Sequence, residues 1–181
     1  MSRPPRAREL VLDAFESLLI DEGERSATMD ATARAAGVSK GGLLYHFGSK
    51  DALEAGLVER LDALAQDDIE RMAAAPEGPV AYFVRTSAMA NDPLDRAIIA
   101  VSRLAQGGHA AAGAALRVIR ERWADALRPH TAGDTALDLV MLVSDGLYYN
   151  NALEGGGMTG PVPSGVAMDA LIALVERSTR A

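Results

Sequence analysis

The chain has no cysteine among its 181 residues. That excludes disulfides, zinc-thiolate sites, iron-sulfur clusters and cysteine nucleophiles. It also lacks any run of about 18 uncharged apolar residues, the minimum for a membrane-spanning helix. Its start, MSRPPRARELVLDAF, has neither the unbroken apolar core nor the small-residue cleavage site of a signal peptide. A soluble, cytoplasmic protein without a membrane partner is expected. No closely spaced catalytic constellation or H-x-x-x-H pair is visible, so neither an enzyme nor a metal or cofactor protein is expected. A G-x-G-x-x-G pattern does occur at Gly155, Gly157 and Gly160. It follows a helical pattern and runs into Pro161, whereas a dinucleotide site needs a strand before it and a helix after it.

What is present is apolar residues, 49% of the chain, enough for a real core. The net charge of -7 is unevenly spread. Residues 1 to 50 hold seven basic and seven acidic side chains, and the remainder hold eleven and eighteen. Within the front part, Arg25, Arg34, Lys40 and Lys50 stand against Asp30 alone between positions 25 and 50. This suggests a small neutral-to-basic head, residues 1–50, on a larger acidic body, residues 51–181.

The pattern is helical throughout. Leu10, Val11, Ala14, Phe15, Leu18 and Leu19 form one apolar stripe that ends near Gly23. Thr28 and Ser39 are N-cap candidates for two short helices, and Ser49 for a long one with Leu53, Leu57, Leu61 and Leu64 in register. Gly and Pro punctuation separates the further helical segments, giving about nine in all and an all-α fold.

The stretch GVSKGGLLYHFGSK, residues 37–50, combines a turn glycine with a capped second helix, the form of a helix-turn-helix. The second helix of such a motif enters the DNA major groove by its N-terminal end. Gly41 and Gly42 cost roughly 1 kcal/mol each inside a helix relative to alanine, and their bare backbone allows close approach to DNA. Lys40 has the reach for guanine O6 and N7, and Leu43 for a thymine methyl. Tyr45, His46 and Lys50 offer polar tips to phosphates, and the helix starts capped by Thr28, Ser39 and Ser49 present backbone N–H groups. Val38, Leu44 and Phe47 are expected in the core of the head. Arg3, Arg6 and Arg8 are either an arm toward the minor groove or a solvated terminus.

These residues resemble a known family. TMDATARAAGVSKGGLLYHFGSKDAL is similar to the DNA-binding domain of TetR/AcrR bacterial transcriptional regulators over about residues 8 to 58. The matching positions are Gly37-Val38-Ser39, Gly41, Tyr45-His46-Phe47 and Lys50. Three positions depart from that pattern: Leu44 where an aromatic is usual, Thr32 where an isoleucine is usual, and Asp30 where a basic or polar residue often stands. The resemblance implies a homodimeric repressor on double-stranded DNA with a palindromic operator, released by a small molecule bound in the body.

The body fits that expectation. The helical segment from Asp134 is apolar on two sides, with Leu137, Val140, Met141 and Leu147 on one and Leu139, Leu142 and Val143 on the other. Leu139, Leu142, Val143 and Gly146, with Leu171, Leu174 and Val175 of the last helix, are the candidate dimer interface. A pocket for an apolar or amphipathic effector is expected among Phe83, Met89, Arg103, Trp123, Met141, Asp145 and Tyr148, since aromatics are only 4% of the chain and cluster here. His109 and His130 sit at helix boundaries, where capping or surface roles are expected. The rival expectation is an all-α ligand-binding or protein-interaction module that has lost DNA binding.

Overall fold

The computed structural model describes residues 5–88, 92–152 and 160–180. Among these residues there are nine α-helices and a single 3-10 turn, and no strand. The fold is all-α, as the periodicity predicts. No helix among the described residues is long and apolar enough to cross a membrane.

The chain folds as two compact units. The first holds α1 (Pro5–Asp21), α2 (Met29–Ala35), α3 (Lys40–His46), α4 (Lys50–Ala74) as far as Leu64, α6 (Pro93–Gln106), and α7 (Ala110–Leu127) as far as Val118. The second holds the rest of α4 and α7, with α5 (Pro79–Thr86), α8 (Asp134–Ala152) and α9 (Val166–Thr179). Charge balance changes at residue 50, but packing divides the chain inside α4 and α7, so each of these helices serves both units.

In the first unit α1 packs on α2, α3 and α6. Val11, Leu12, Phe15 and Leu19 are buried on its inner face, while Leu10 of the expected stripe lies exposed. Phe47 closes the head from the end of α3, and Gly56 on α4 makes room for it. A Cβ at Gly56 would come within 2.6 Å of the Phe47 ring. Arg8 stacks its guanidinium over that ring, 5.3 Å from the centroid. Ion pairs then tie α1 to its neighbours. Arg60 on α4 holds Asp13 at 2.7 Å and Glu9 at 2.6 Å, and Arg96 on α6 donates to Glu16 at 2.8 Å and Ser17 at 3.0 Å. Burial pushes the Glu16 carboxyl up from its ordinary range, and the charges of Arg96 and Arg60 only partly offset this.

The second unit is held differently. Met72, Phe83, Val84, Leu127, Leu137, Val140, Met141, Met168 and Ile172 form one continuous buried cluster, with Trp123 packed against it. Few polar groups enter. Asp68 accepts hydrogen bonds from Tyr82 Oη and Trp123 Nε1, each at 3.0 Å, and the Ser87 and Ser144 hydroxyls meet at 2.6 Å. Burial, and next the nearby Asp68 charge, push the Tyr82 hydroxyl up to about 12. α5 stops at Thr86. There the Thr86 and Ser87 hydroxyls donate back to the Tyr82 and Phe83 carbonyls at 3.0 and 2.7 Å, in competition with the helix ladder.

Candidate nucleic-acid interface

Two capped helices and one glycine build the motif. Thr28 accepts from the Ala31 amide at 3.2 Å and so starts α2. The unusual Thr32 is fully buried, and its hydroxyl is satisfied by donating to the Thr28 carbonyl at 2.8 Å. Gly37 then turns the chain at a φ of +66°, a conformation that costs a residue with a side chain. Ser39 accepts from the Gly42 amide at 3.0 Å and starts α3, and Ser49 accepts from the Ala52 amide at 3.1 Å and starts α4. All three cap candidates act as expected.

The orientation of α3 decides which side chains face out. Leu43 is fully buried and Phe47 nearly so, four residues apart on the inner face, whereas Leu44 is 42% exposed and Tyr45 81%. This corrects two expectations. Leu43 is core and has no surface to offer a thymine methyl, and Leu44, expected in the core, is on the open face. A helix advances about 100° per residue, so the stripe fixed by Leu43 and Phe47 turns Leu44 outward.

Lys40, Gly41 and Tyr45 share the exposed surface of α3, and His46 is half-buried with its ring edge-on to Tyr45, 5.2 Å between centroids. The two glycines differ. A Cβ on Gly42 would press within 3.2 Å of the capping Ser39 hydroxyl, whereas one on Gly41 would meet only that oxygen, at 4.0 Å. The fold itself therefore accounts for Gly42 but not for Gly41.

Both lysines of the chain, Lys40 and Lys50, lie on this motif, and both face carboxylates. Lys40 Nζ is 2.9 Å from Asp30 on α2, with both side chains well exposed. Lys50 Nζ is 3.5 Å from Glu54 and 3.7 Å from Glu24, and Glu54 also lies 3.0 Å from His109 Nε2. Sequence reasoning missed these partners. The spacing of Lys50 and Glu54, four apart on one helix, was a readable signal. Glu24, Asp30 and His109 come together only through tertiary packing. Arg8, at the edge of the expected arm, is engaged with Phe47, Glu9 and Glu59. Arg3 and the side chain of Arg6 lie outside the described residues.

In the second unit Phe83 and Met141 are buried in the apolar cluster, and the Trp123 ring lies 6.0 Å from that of Phe83. Tyr148 is half-buried, and Asp145 is exposed and paired with Arg120 at 2.6 Å. Arg103 is exposed on α6, in the first unit. Met89, Gly155 and Gly157 lie outside the described residues. Of the candidate dimer residues, Leu139, Leu142, Gly146 and Leu174 are exposed and Val143 and Leu171 half-buried, while Val175 faces its own unit's core.

The motif is a helix-turn-helix at the front of an all-α chain. Residues 11–55 match the family model of bacterial regulatory proteins, tetR family. Over the whole chain the fold is similar to several solved regulators. One from Streptomyces coelicolor A3(2) is 19% identical with a TM-score of 0.67, the match covering 98% of this chain and 100% of that one. A TetR-family regulator from Rhodococcus sp. is 16% identical with a TM-score of 0.64, covering 97% and 99%. A TetR-like regulator from Rhodococcus sp. RHA1 is 19% identical with a TM-score of 0.63, covering 97% and 94%. No curated protein gives a significant match. The resemblance to the tetR family thus lies in the domain of residues 11–55, and the whole chain shares the fold of these solved regulators.

Proposed function

We propose that the protein is a ligand-responsive repressor that binds a palindromic operator as a homodimer. The observation that carries the reading is the open face of α3, where Lys40, Gly41, Leu44 and Tyr45 are exposed while Leu43 and Phe47 close the head behind them. Residues 1–50 are the DNA-reading part and residues 51–181 the effector-binding and dimerising part, working in the cytoplasm without a catalytic role. Lys40 reads a base edge, the bare backbone at Gly41 lets the helix come close, and Tyr45, His46, Lys50 and the helix starts at Thr28 and Ser39 hold phosphates.

The exposed apolar residues Leu139, Leu142 and Leu174 support pairing of α8 and α9 with those of a second copy. A two-fold dimer then presents two α3 helices to half-sites about 34 Å apart, or a multiple of that. The effector is a small apolar or amphipathic molecule that enters beside Phe83, Trp123 and Met141. It relieves repression only by binding the non-DNA-binding geometry more tightly than the other.

The test is selection of bound sequences from a random duplex pool at about 0.15 M salt, where screening suppresses weak surface attraction. An enriched palindrome is expected. One observation favours a second reading, a ligand-binding or protein-interaction module that no longer binds DNA: Asp30 neutralises Lys40 at 2.9 Å. A folded, dimeric protein that enriches no sequence would favour that module.

A further inference from the structure

Lys50 is held in a different way from Lys40. Its ammonium lies 3.5 and 3.7 Å from two carboxylates, distances of an ion pair longer than a hydrogen bond, so its donors remain available. The carboxylates come from different places. Glu24 lies in the connection between α1 and α2, and it fits there because Gly107 has no side chain; a Cβ at Gly107 would overlap the Glu24 carboxylate. Glu54 lies one turn along α4 and is only 4% exposed.

A buried carboxylate needs a counter-charge or hydrogen bonds in place of water. Glu54 has Lys50 on one oxygen and His109 Nε2 on the other, 3.0 Å away. The histidine keeps this contact although its Nδ1 is buried without a partner, an arrangement that costs free energy. We propose that Glu54 and His109 are positioning residues that set how far Lys50 is available to DNA: Glu54 restrains the Lys50 ammonium at the start of α4, and His109 lets Glu54 share it with a phosphate. The proposal rests on the reading that the head binds DNA. When Lys50 turns to a phosphate, Glu54 is left with His109 as its remaining partner. Without His109, Lys50 would be the only partner of a buried charge and would be held back from DNA.

The experiment measures operator affinity against salt for the full-length protein and for Glu54→Gln, His109→Ala, Lys50→Ala and the Lys50→Ala/Glu54→Gln pair, each checked for folding by a thermal melt. Glu54→Gln is expected to tighten binding severalfold and steepen the salt slope by up to roughly 1, because the whole charge of Lys50 becomes available. His109→Ala should do the reverse. In the Lys50→Ala background, Glu54→Gln should change affinity by no more than about twofold, the scatter expected of uncoupled sites. Equal tightening with and without Lys50 would overturn the proposal, since Glu54 would then act only as a nearby negative charge. If Glu54→Gln fails to fold, Glu24→Gln, which faces Lys50 from a more exposed position, takes its place with the same expectation. A wild-type protein that selects no DNA overturns the DNA-binding reading itself, whereas one that binds without this coupling overturns the positioning role alone.

Discussion

The two units leave open faces of opposite character. On the first, α3 presents a lysine, a bare glycine and a tyrosine, and the helices behind it are tied by Arg60, Arg96 and their carboxylates. On the second, α8 and α9 present Leu139, Leu142, Tyr149 and Leu174 over a core that is almost wholly apolar. A polyanion is met by cations and close backbone approach, and a copy of the same chain by self-complementary apolar surface. On the function proposed above, each face carries the chemistry of a different partner, and its weak points differ accordingly.

The largest effect is expected on the apolar face. Leu142, 65% exposed in the single chain, should be central to a symmetric contact, and Leu142→Glu should cost on the order of 2 to 4 kcal/mol of dimerisation. Sedimentation equilibrium would show monomer, and operator binding would fall with it because each head alone reads one half-site. A dimer that persists would place the interface elsewhere. On the polar face, Lys40→Ala should cost about 1 to 3 kcal/mol, and only at operators carrying the base it reads. Lys50→Ala should instead weaken binding to all sequences alike and lower the salt slope by roughly 1. If the two variants behave identically, the assignment of base reading to Lys40 fails.

A smaller effect separates fold from function at one residue. Because a Cβ on Gly41 meets nothing closer than 4.0 Å, Gly41→Ala should raise the melting temperature, gaining up to about 1 kcal/mol from helix propensity. The same variant should bind operator DNA more weakly, its methyl now standing on the face that must approach the duplex. Unchanged DNA affinity would leave Gly41 without the role assigned to it.

Much of this was legible in the sequence, because it depends on local signals. Helix number, the caps at Thr28, Ser39 and Ser49, and the inward stripe of α8 all follow from residue type and spacing within a few positions. The exchange of Leu43 and Leu44 was not legible, because two adjacent leucines on a seven-residue helix carry no periodicity of their own. Which one is buried depends on how α3 sits on α1 and α2. Asp30 beside Lys40, Glu24 beside Lys50 and His109 beside Glu54 were hidden for the same reason, being contributed from α2, the loop before it and the turn after α6.

The smallest expected effect lies among the polar ties of the first unit, which should respond to pH. Two glutamates on α1 should respond with opposite sign. At Glu9 burial opposes ionisation, but the hydrogen bonds and charges of Arg60 and Arg8 outweigh it, so its folded pKa lies below the unfolded value. Its contribution is therefore full above the unfolded pKa and disappears as pH falls through the folded one. At Glu16 burial wins over Arg96 and Arg60, so the folded pKa lies above the unfolded value. The folded state then binds that proton more tightly, and the Glu16 contribution improves as pH falls through the folded pKa toward the unfolded one. Denaturant melts at stepped pH should show Glu9→Gln losing part of the wild-type acid sensitivity and Glu16→Gln increasing it. For the exposed Glu9 pair the change should stay below about 1 kcal/mol. Shifts of the same sign in both variants would mean that Arg60 and Arg96 compensate the two carboxylates alike, and that burial of Glu16 is not what distinguishes them.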